Sequence, residues 1–287
     1  MYSLYLNDIL LILRLRFIIY KAPVVLYIMG SWALVLLANE PYIERAKTTI
    51  IECRGIGDWQ DDIVLMVPKT LMTDSSLALF AKEQRVQLFE LPSKNYSAVL
   101  DLWTKNKHIS DYEYIKSRTF IYMKFYLFDM FFKKWDVVFY IDAGMKVFGK
   151  LSPFKTICEP QNCLYAHSDS YPKFEWKLHR QFSFELLNGE QRDALNEYNL
   201  DVDYFQSTMI IYDTTILEDS IVDDLFELIE KFPSARWGDQ PILNLYFNCT
   251  RGLWRQIPLR SQEGFLYDYL QREGYSKSDY LMLKMVL

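Results

Sequence analysis

Short, uninterrupted apolar runs separated by helix-like patterns are the feature that most limits how this chain can fold. Runs of this length and composition are typical of strands that are buried on both faces of a parallel sheet. We therefore predict an α/β fold built on a central, mostly parallel sheet. The predicted strands cover residues 32–38, 62–67, 86–88, 137–141 and 209–212.

Helical patterns lie between these runs and predict helices that flank the sheet. One of them, residues 41–51, begins at a proline, which suits the first turn of a helix. No internal repeat, low-complexity tract or Pro/Gly/Ser-rich linker divides residues 31–287, so we predict one domain there. The other predicted helices cover residues 75–83, 114–132, 220–232 and 241–247.

The composition limits the classes of partner. Hydrophobic residues make up 51% of the chain, which is enough for a packed core. The net charge of -5 provides no overall basic field, so we predict no nucleic-acid partner and favour a small ligand or a glycan. The four cysteines form no CxxC pair and are interpreted as mostly buried thiols, which favours a reducing, cytoplasmic location.

The N-terminal segment, residues 1–30, is strongly apolar but carries Arg14, Arg16 and Lys21. A membrane span needs roughly 20 nearly uninterrupted apolar residues, and charges within it are costly. Two interpretations stay open: the segment associates with or anchors the chain to a membrane, or it is an extension that packs on the domain.

Two acidic positions are candidates for a site. Asp142 directly follows the run 137–141, and the ligand crevice of an open parallel sheet lies at the carboxyl ends of its strands. The simpler alternative is that Asp142 caps a turn. Asp239 precedes a helix-like run, where an aspartate can serve as an N-cap, whereas its neighbour Gln240 has no such structural role.

The order of motifs along the chain resembles the glycogenin-like family 8 glycosyltransferases. That resemblance implies a GT-A type fold and the transfer of a sugar from a nucleotide diphosphate sugar, with UDP the carrier, to a hydroxyl group. The resemblance also implies that the acceptor is a glycan or a protein and that the anomeric configuration is retained. Six segments carry the resemblance: ALVLLANEPYIERA, IVLMVP, RTFIYMKFYLFD, FYIDAG, YFQSTMIIYDT and DQPILN.

The resemblance also implies roles for individual residues. Asn39 and Tyr42 would hold the nucleotide base, and Asp142 would contact the ribose or a metal ion. Asp239 and Gln240 would border the anomeric carbon as the catalytic residues. The other implied donor-binding residues are Lys124 and Arg118, which would balance the diphosphate, and Ala38, Ala143 and Gly144.

The chain departs from the family at the metal. Gly144 stands where the family has the second aspartate of its DxD motif, and the family's C-terminal His-x-x-Gly-x-x-Lys stretch is absent. Mn or Mg normally neutralises the leaving diphosphate, and here Asp142 is the one predicted ligand that remains.

Positive side chains can supply the same stabilisation, and the candidates are Lys124, Arg118, Lys146 and Lys284. The simpler alternative is that Lys146 is a solvated charge at a strand end and Lys284 a surface residue. A catalytically silent GT-A domain that binds a nucleotide sugar or a protein partner therefore remains the alternative. A nucleotidyltransferase is disfavoured, because no Gly-rich phosphate loop follows the first predicted strand.

Overall fold

The computed structural model describes residues 30–94, 119–158, 160–171, 173, 175–235 and 238–284. The residues from Ser31 onward form one compact unit. Residues 1–29 and the predicted donor-binding residue Arg118 lie outside the described residues. Among the helices that are described, none is both long and apolar enough to cross a bilayer.

The larger sheet has the strand order β3-β2-β1-β4-β7-β6-β8. Parallel pairing joins β3, β2, β1 and β4, and β7 runs antiparallel to both of its neighbours. The predicted mostly parallel sheet is thus confirmed. Its strands are β1 (Trp32–Leu37), β2 (Asp62–Pro68), β3 (Val86–Leu91), β4 (Val137–Ile141), β6 (Leu164–Ser168), β7 (Phe205–Asp213) and β8 (Trp254–Gln256).

The first strand shows why the apolar runs are uninterrupted. Every residue of β1 is buried, and alternate residues belong to different halves of the core. Val35 packs on one face of the sheet and Leu34 on the other. Because both faces are covered, neither set of alternate positions can be polar.

A smaller sheet, which the sequence analysis did not predict, packs beside the larger one. Its order is β5-β11-β10-β9, and β11 pairs antiparallel with β5 so that Lys284 lies opposite Met145. The strand β5 follows β4 after a short turn, so the small sheet begins at the edge where β4 ends. Its strands are β5 (Met145–Val147), β9 (Arg260–Ser261), β10 (Gly264–Asp268) and β11 (Tyr280–Lys284).

Three of the five predicted helices lie close to their predicted positions and two differ, and the α-helices Lys69–Met72, Ser152–Ile157 and Gly189–Asn196 were not predicted. The described part of predicted helix 114–132 is two 3-10 segments, Thr119–Phe128 and Met130–Lys134, because Asp129 is extended and its carboxylate accepts a hydrogen bond from the Phe131 N–H. Predicted helix 241–247 begins earlier and continues as a π-helix, Asn244–Thr250. The α-helices are α1 (Ile43–Arg54), α2 (Lys69–Met72), α3 (Ser75–Glu83), α4 (Ser152–Ile157), α5 (Gly189–Asn196), α6 (Ile221–Lys231) and α7 (Asp239–Leu243).

The aromatic segment Thr119–Phe128 lies against one face of the larger sheet. Tyr122, Phe125 and Phe128 are fully buried, so these aromatic residues serve packing. The same segment carries Lys124, whose side chain is only 3% exposed. An ammonium group therefore enters the core beside the carboxyl ends of the central strands.

The strand order places a switch point beside β1. From β1 the chain moves to β2 on one side, and β4 pairs with β1 on the other side. Ligands bind at such points, in the crevice outside the carboxyl ends of the strands. Asn39 and Asp142, which follow β1 and β4, therefore lie at the same edge of the sheet.

Candidate active site

A cavity of about 540 Å³ opens at the carboxyl ends of β1 and β4. Six of the predicted site residues line it, and five of them come from these two strand ends or the turn after β1. The lining residues are Leu37, Ala38, Asn39, Pro41, Tyr42, Phe120, Ile121, Lys124, Tyr140, Asp142, Ala143 and Lys284.

One side of the cavity is uncharged. Tyr42 closes a single 3-10 turn that contains Pro41, and the Tyr42 side chain is 47% exposed. The Oδ1 atom of Asn39 is buried and accepts no hydrogen bond from the described residues. A buried amide oxygen without a donor is costly, so this position is suited to a ligand that brings an N–H group. The exposed ring beside it offers a flat surface for a heteroaromatic base.

Lys124 holds the charged side of the cavity together. Its Nζ lies 3.0 Å from the Ser207 carbonyl oxygen, 3.2 Å from Asp142 Oδ1 and 3.1 Å from Asp239 Oδ2. Burial by itself would lower the pKa of Lys124, but the two carboxylates more than offset it and the pKa is raised. The buried side chain therefore remains an ammonium.

Asp142 accepts from three donors at the end of β4. Its Oδ1 lies 2.7 Å from the Tyr140 hydroxyl and 3.2 Å from Lys124 Nζ, and its Oδ2 lies 3.1 Å from Lys284 Nζ. Burial would raise the pKa of Asp142, but the ammonium groups of Lys124 and Lys284 hold it at about 2. The carboxylate is an ion-pair partner of two lysines, so it does not serve as the turn cap that was the simpler alternative.

Asp239 is the first residue of α7, and its side chain is fully buried. Gly238 occupies the N-cap position with φ 68°, so the N-cap alternative for Asp239 is wrong. Burial raises the pKa of Asp239, although Lys124 opposes this shift. Asp239 is absent from the described lining of the cavity, and its contact with a lining residue is the ion pair with Lys124.

Gln240 also lies outside the described cavity lining. Its Oε1 accepts from the Ser207 N–H at 3.2 Å, and its Nε2 donates to Gln181 Oε1 at 3.0 Å. Both ends of the amide thus connect α7 to neighbouring segments. The predicted catalytic roles of Asp239 and Gln240 stay predictions, and the geometry gives both residues contacts that position other groups.

Gly144 adopts φ 87° in the turn after β4, a backbone conformation that favours glycine. Its N–H donates to Thr49 Oγ1 at 3.1 Å, and the residue is not part of the described cavity lining. Ala143, the residue before it, does line the cavity. Gly144 therefore shapes the turn that follows Asp142.

Lys284 was a candidate in the sequence analysis, where a surface residue was the simpler interpretation. It ends β11, its side chain is 20% exposed, and it lines the cavity beside Asp142. The signal was present in the sequence, because an apolar run that ends in a charged residue is the pattern that identified Asp142. Lys146 does lie at the surface as expected, since its side chain is 39% exposed and pairs with Glu52.

The donor set of this site does not fit a divalent metal ion. Both carboxylate oxygens of Asp142 already face ammonium groups, and Gly144 offers no ligand atom. The described residues contain no cluster of three or more His, Cys, Asp or Glu side chains that could hold a metal. Mn and Mg bind through oxygen ligands from carboxylates, and both carboxylates described at this site, Asp142 and Asp239, already pair with an ammonium group.

The sequence profile of Glycosyl transferase family 8 matches residues 70–272. The match covers more than half of the chain, and the chain belongs to glycosyl transferase family 8. This confirms the predicted resemblance and the predicted class of enzyme, a glycosyltransferase. No curated protein matches the sequence significantly.

Solved glycosyltransferase structures share the fold. An active-site mutant of LgtC has 14% identity over 88% of this chain and 86% of its own, with a TM-score of 0.52. The mannosyltransferase Ktr4p from S. cerevisiae in complex with GDP has 12% identity over 79% of this chain and 69% of its own, with a TM-score of 0.51. These similarities confirm the predicted GT-A type α/β fold. The chain spans only 40% of the bifunctional glycosyltransferase WbbM and 45% of GlyE from Streptococcus pneumoniae TIGR4.

Proposed function

We propose that this protein transfers a glycosyl residue from a UDP-sugar to a hydroxyl group of a glycan or protein acceptor, with retention of the anomeric configuration. The observation that carries the proposal is the composition of one cavity. It joins an exposed aromatic ring and an unpaired amide oxygen to a pair of lysines at the switch point of the sheet. A nucleoside diphosphate has the matching parts, a flat base and an anionic diphosphate, in that order.

The base side of the cavity favours uracil. The buried Oδ1 of Asn39 accepts one hydrogen bond from a ligand, and uracil presents an N–H group between two carbonyl oxygens. Tyr42 is exposed at the same side and can stack on the base, an interaction worth about 1–3 kcal/mol per base. Asn39 thus accepts a hydrogen bond from an N–H group of the base, and Tyr42 contacts the flat face of the base.

The charged side acts on the leaving group. As the bond between the anomeric carbon and the diphosphate oxygen breaks, negative charge develops on the departing diphosphate. Ammonium groups fixed at that position stabilise the transition state without reorganisation. The oxygen of the bound acceptor hydroxyl forms the new bond to the anomeric carbon as the bond to the diphosphate breaks, and the hydroxyl proton passes to the departing diphosphate.

A solved relative supports the ligand class. The Ktr4p structure with the same fold holds GDP, a nucleoside diphosphate. GDP-sugars are therefore the natural comparison for UDP-sugars in any assay, since the two differ in the base that Asn39 and Tyr42 would contact.

The first test is release of UDP from a panel of UDP-sugars, and of GDP from GDP-sugars, by the full chain. Wild type should release UDP, and Asp142→Ala and Asp239→Ala should lose the release. Tight UDP binding with no release from any donor would favour the alternative, a silent domain that binds a nucleotide sugar or a protein partner. Release only from GDP-sugars would reject the proposed base recognition.

We also propose residues 31–287 as the transferase domain and residues 1–30 as an extension or membrane anchor. A variant that lacks residues 1–30 should keep UDP release. Comparison of the membrane fractions of this variant and the full chain decides between the two interpretations of the segment.

A further inference from the structure

Two lysines contact Asp142, and they differ in how many of their donors are free. An ammonium has three N–H groups. At Lys124 they face four oxygens, the carbonyl and hydroxyl oxygens of Ser207 and one carboxylate oxygen each of Asp142 and Asp239, at 3.0–3.3 Å. The side chain is also only 3% exposed, so Lys124 has no donor left for a ligand.

Lys284 is in the opposite situation. In the part of the chain that the structure describes, its acceptor is Asp142 Oδ2, at 3.1 Å. Its side chain is 20% exposed and lines the cavity. Two of its N–H groups are therefore available to a ligand, and the ion pair with Asp142 fixes the position of the ammonium.

The neighbourhood of Gly144 is also cationic. A Cβ atom at Gly144 would lie 3.7 Å from the Cδ atom of Arg45. The Arg45 side chain therefore lies beside the position at which the family has the second aspartate of its DxD motif. A divalent cation at this place would have to displace an ammonium from Asp142 and would be repelled by the remaining positive charges. An anionic diphosphate, by contrast, meets the complementary charge.

We propose that Lys284 binds the diphosphate of the donor and takes the place of the divalent metal, so that donor binding and transfer proceed without a metal ion. This inference rests on the proposed function. It adds Lys284, a residue of the small sheet, as a contact of the leaving group. Lys124 then has the role of holding Asp142 in place. The ligand class is a nucleoside diphosphate, and the recognised part is the diphosphate.

The test measures the affinities of UDP and of uridine for the full chain by titration calorimetry, in EDTA and in MnCl2. The variants are Lys284→Met, Lys284→Arg and the control Lys146→Met, which removes a lysine of the adjacent strand β5 that pairs with Glu52 at the surface. Thermal melts followed by circular dichroism establish that each variant is folded.

Wild type should bind UDP with the same affinity, within about two-fold, in EDTA and in MnCl2. Lys284→Met should weaken UDP binding at least about ten-fold, the loss expected when a charge-assisted hydrogen bond is removed, and should leave uridine binding unchanged. Lys284→Arg should recover most of the UDP affinity, and Lys146→Met should match wild type.

UDP binding that disappears in EDTA and returns with MnCl2 would overturn the inference, as would equal UDP affinities of wild type and Lys284→Met. Failure of wild type to bind UDP in any buffer would overturn it as well. The proposed function fails separately: the binding pattern described above, combined with no sugar transfer, would leave the role of Lys284 intact and reject the transferase activity.

Discussion

The large and the small sheet each place a charged residue at the end of a buried strand, and both residues enter the same cavity. Asp142 follows β4 of the large sheet, and Lys284 ends β11 of the small sheet. On the large-sheet side, the partners Lys124 and Asp239 are 3% and 0% exposed, whereas Lys284 is 20% exposed. The enclosed charges hold the geometry of the site, and the exposed charge is available to a ligand.

The strongest test of this difference compares the two lysines. Lys124→Met leaves Asp142 and Asp239 close together without their shared ammonium, and breaking a buried pair in this way costs about 3–5 kcal/mol. Lys284→Met removes a partly exposed partner and should cost about 0–1 kcal/mol. Urea unfolding monitored by circular dichroism measures both. Equal losses would mean that the two sides of the site do not differ as described.

A second test acts on the turn that positions Asp239. Gly238 has φ 68°, and a Cβ atom there would lie 2.7 Å from Ile121 Cγ2, a lining residue of the cavity. Gly238→Ala should therefore lower the free energy of unfolding by about 2–4 kcal/mol, from backbone strain and overpacking. The matched control is Gly189→Ala in α5, where a Cβ would meet nothing within 4 Å. A neutral Gly238→Ala would show that the start of α7 tolerates rearrangement.

The third test is the dependence of stability on pH. The lysines hold the pKa of Asp142 at about 2, below its ordinary value of 3.8, against the opposing effect of burial. The folded-state pKa is the lower one, so the stabilisation is fully present above about pH 4 and is lost as the pH falls through 2. The free energy of unfolding should therefore drop by about 2 kcal/mol more in wild type than in Asp142→Asn between pH 5 and pH 2. Parallel pH profiles would contradict the ion-pair assignment.

The smallest change in stability is expected at the uncharged side of the cavity. Tyr42 is 47% exposed, so Tyr42→Ala should alter the free energy of unfolding by less than about 0.5 kcal/mol. UDP affinity should nevertheless fall about ten-fold through the loss of base stacking. Leu79→Ala, at a residue that is 58% exposed on α3, serves as the control. Unchanged UDP affinity in Tyr42→Ala would reject stacking at this position.

The strands of the large sheet could be predicted because their environment leaves a local mark. Each residue of β1 is buried on one of two covered faces, so the run from Trp32 to Leu37 contains no polar residue. The same logic found β2, β4 and the centre of β7. The prediction of one long helix at 114–132 failed in its described part because Asp129 offers the backbone a local hydrogen bond that ends the first 3-10 segment.

The position after a strand predicted Asp142, and the resemblance to the family implied the other site residues, including Lys124 on the segment Thr119–Phe128. Ala38, Asn39, Tyr42, Lys124, Asp142 and Ala143 all line the cavity. Gln240 has a structural role that the sequence did not predict, because its side-chain amide bonds to Ser207 and Gln181 and so connects α7 to neighbouring segments. Its predicted catalytic role, like that of Asp239, awaits the assays described above.

The sequence by itself determined the buried strands and the position of Asp142 at the end of one of them. A strand that is buried on both faces requires a continuous apolar run, so a charged residue such as Asp142 can stand only after the run ends. The tertiary structure decided which cations meet that carboxylate. Lys284 is 142 residues away along the chain and reaches Asp142 through the pairing of β11 with β5. Strand pairing depends on the register of two distant segments, and no local pattern records that register, so the partner that sets the chemistry of the cavity emerged only in the folded protein.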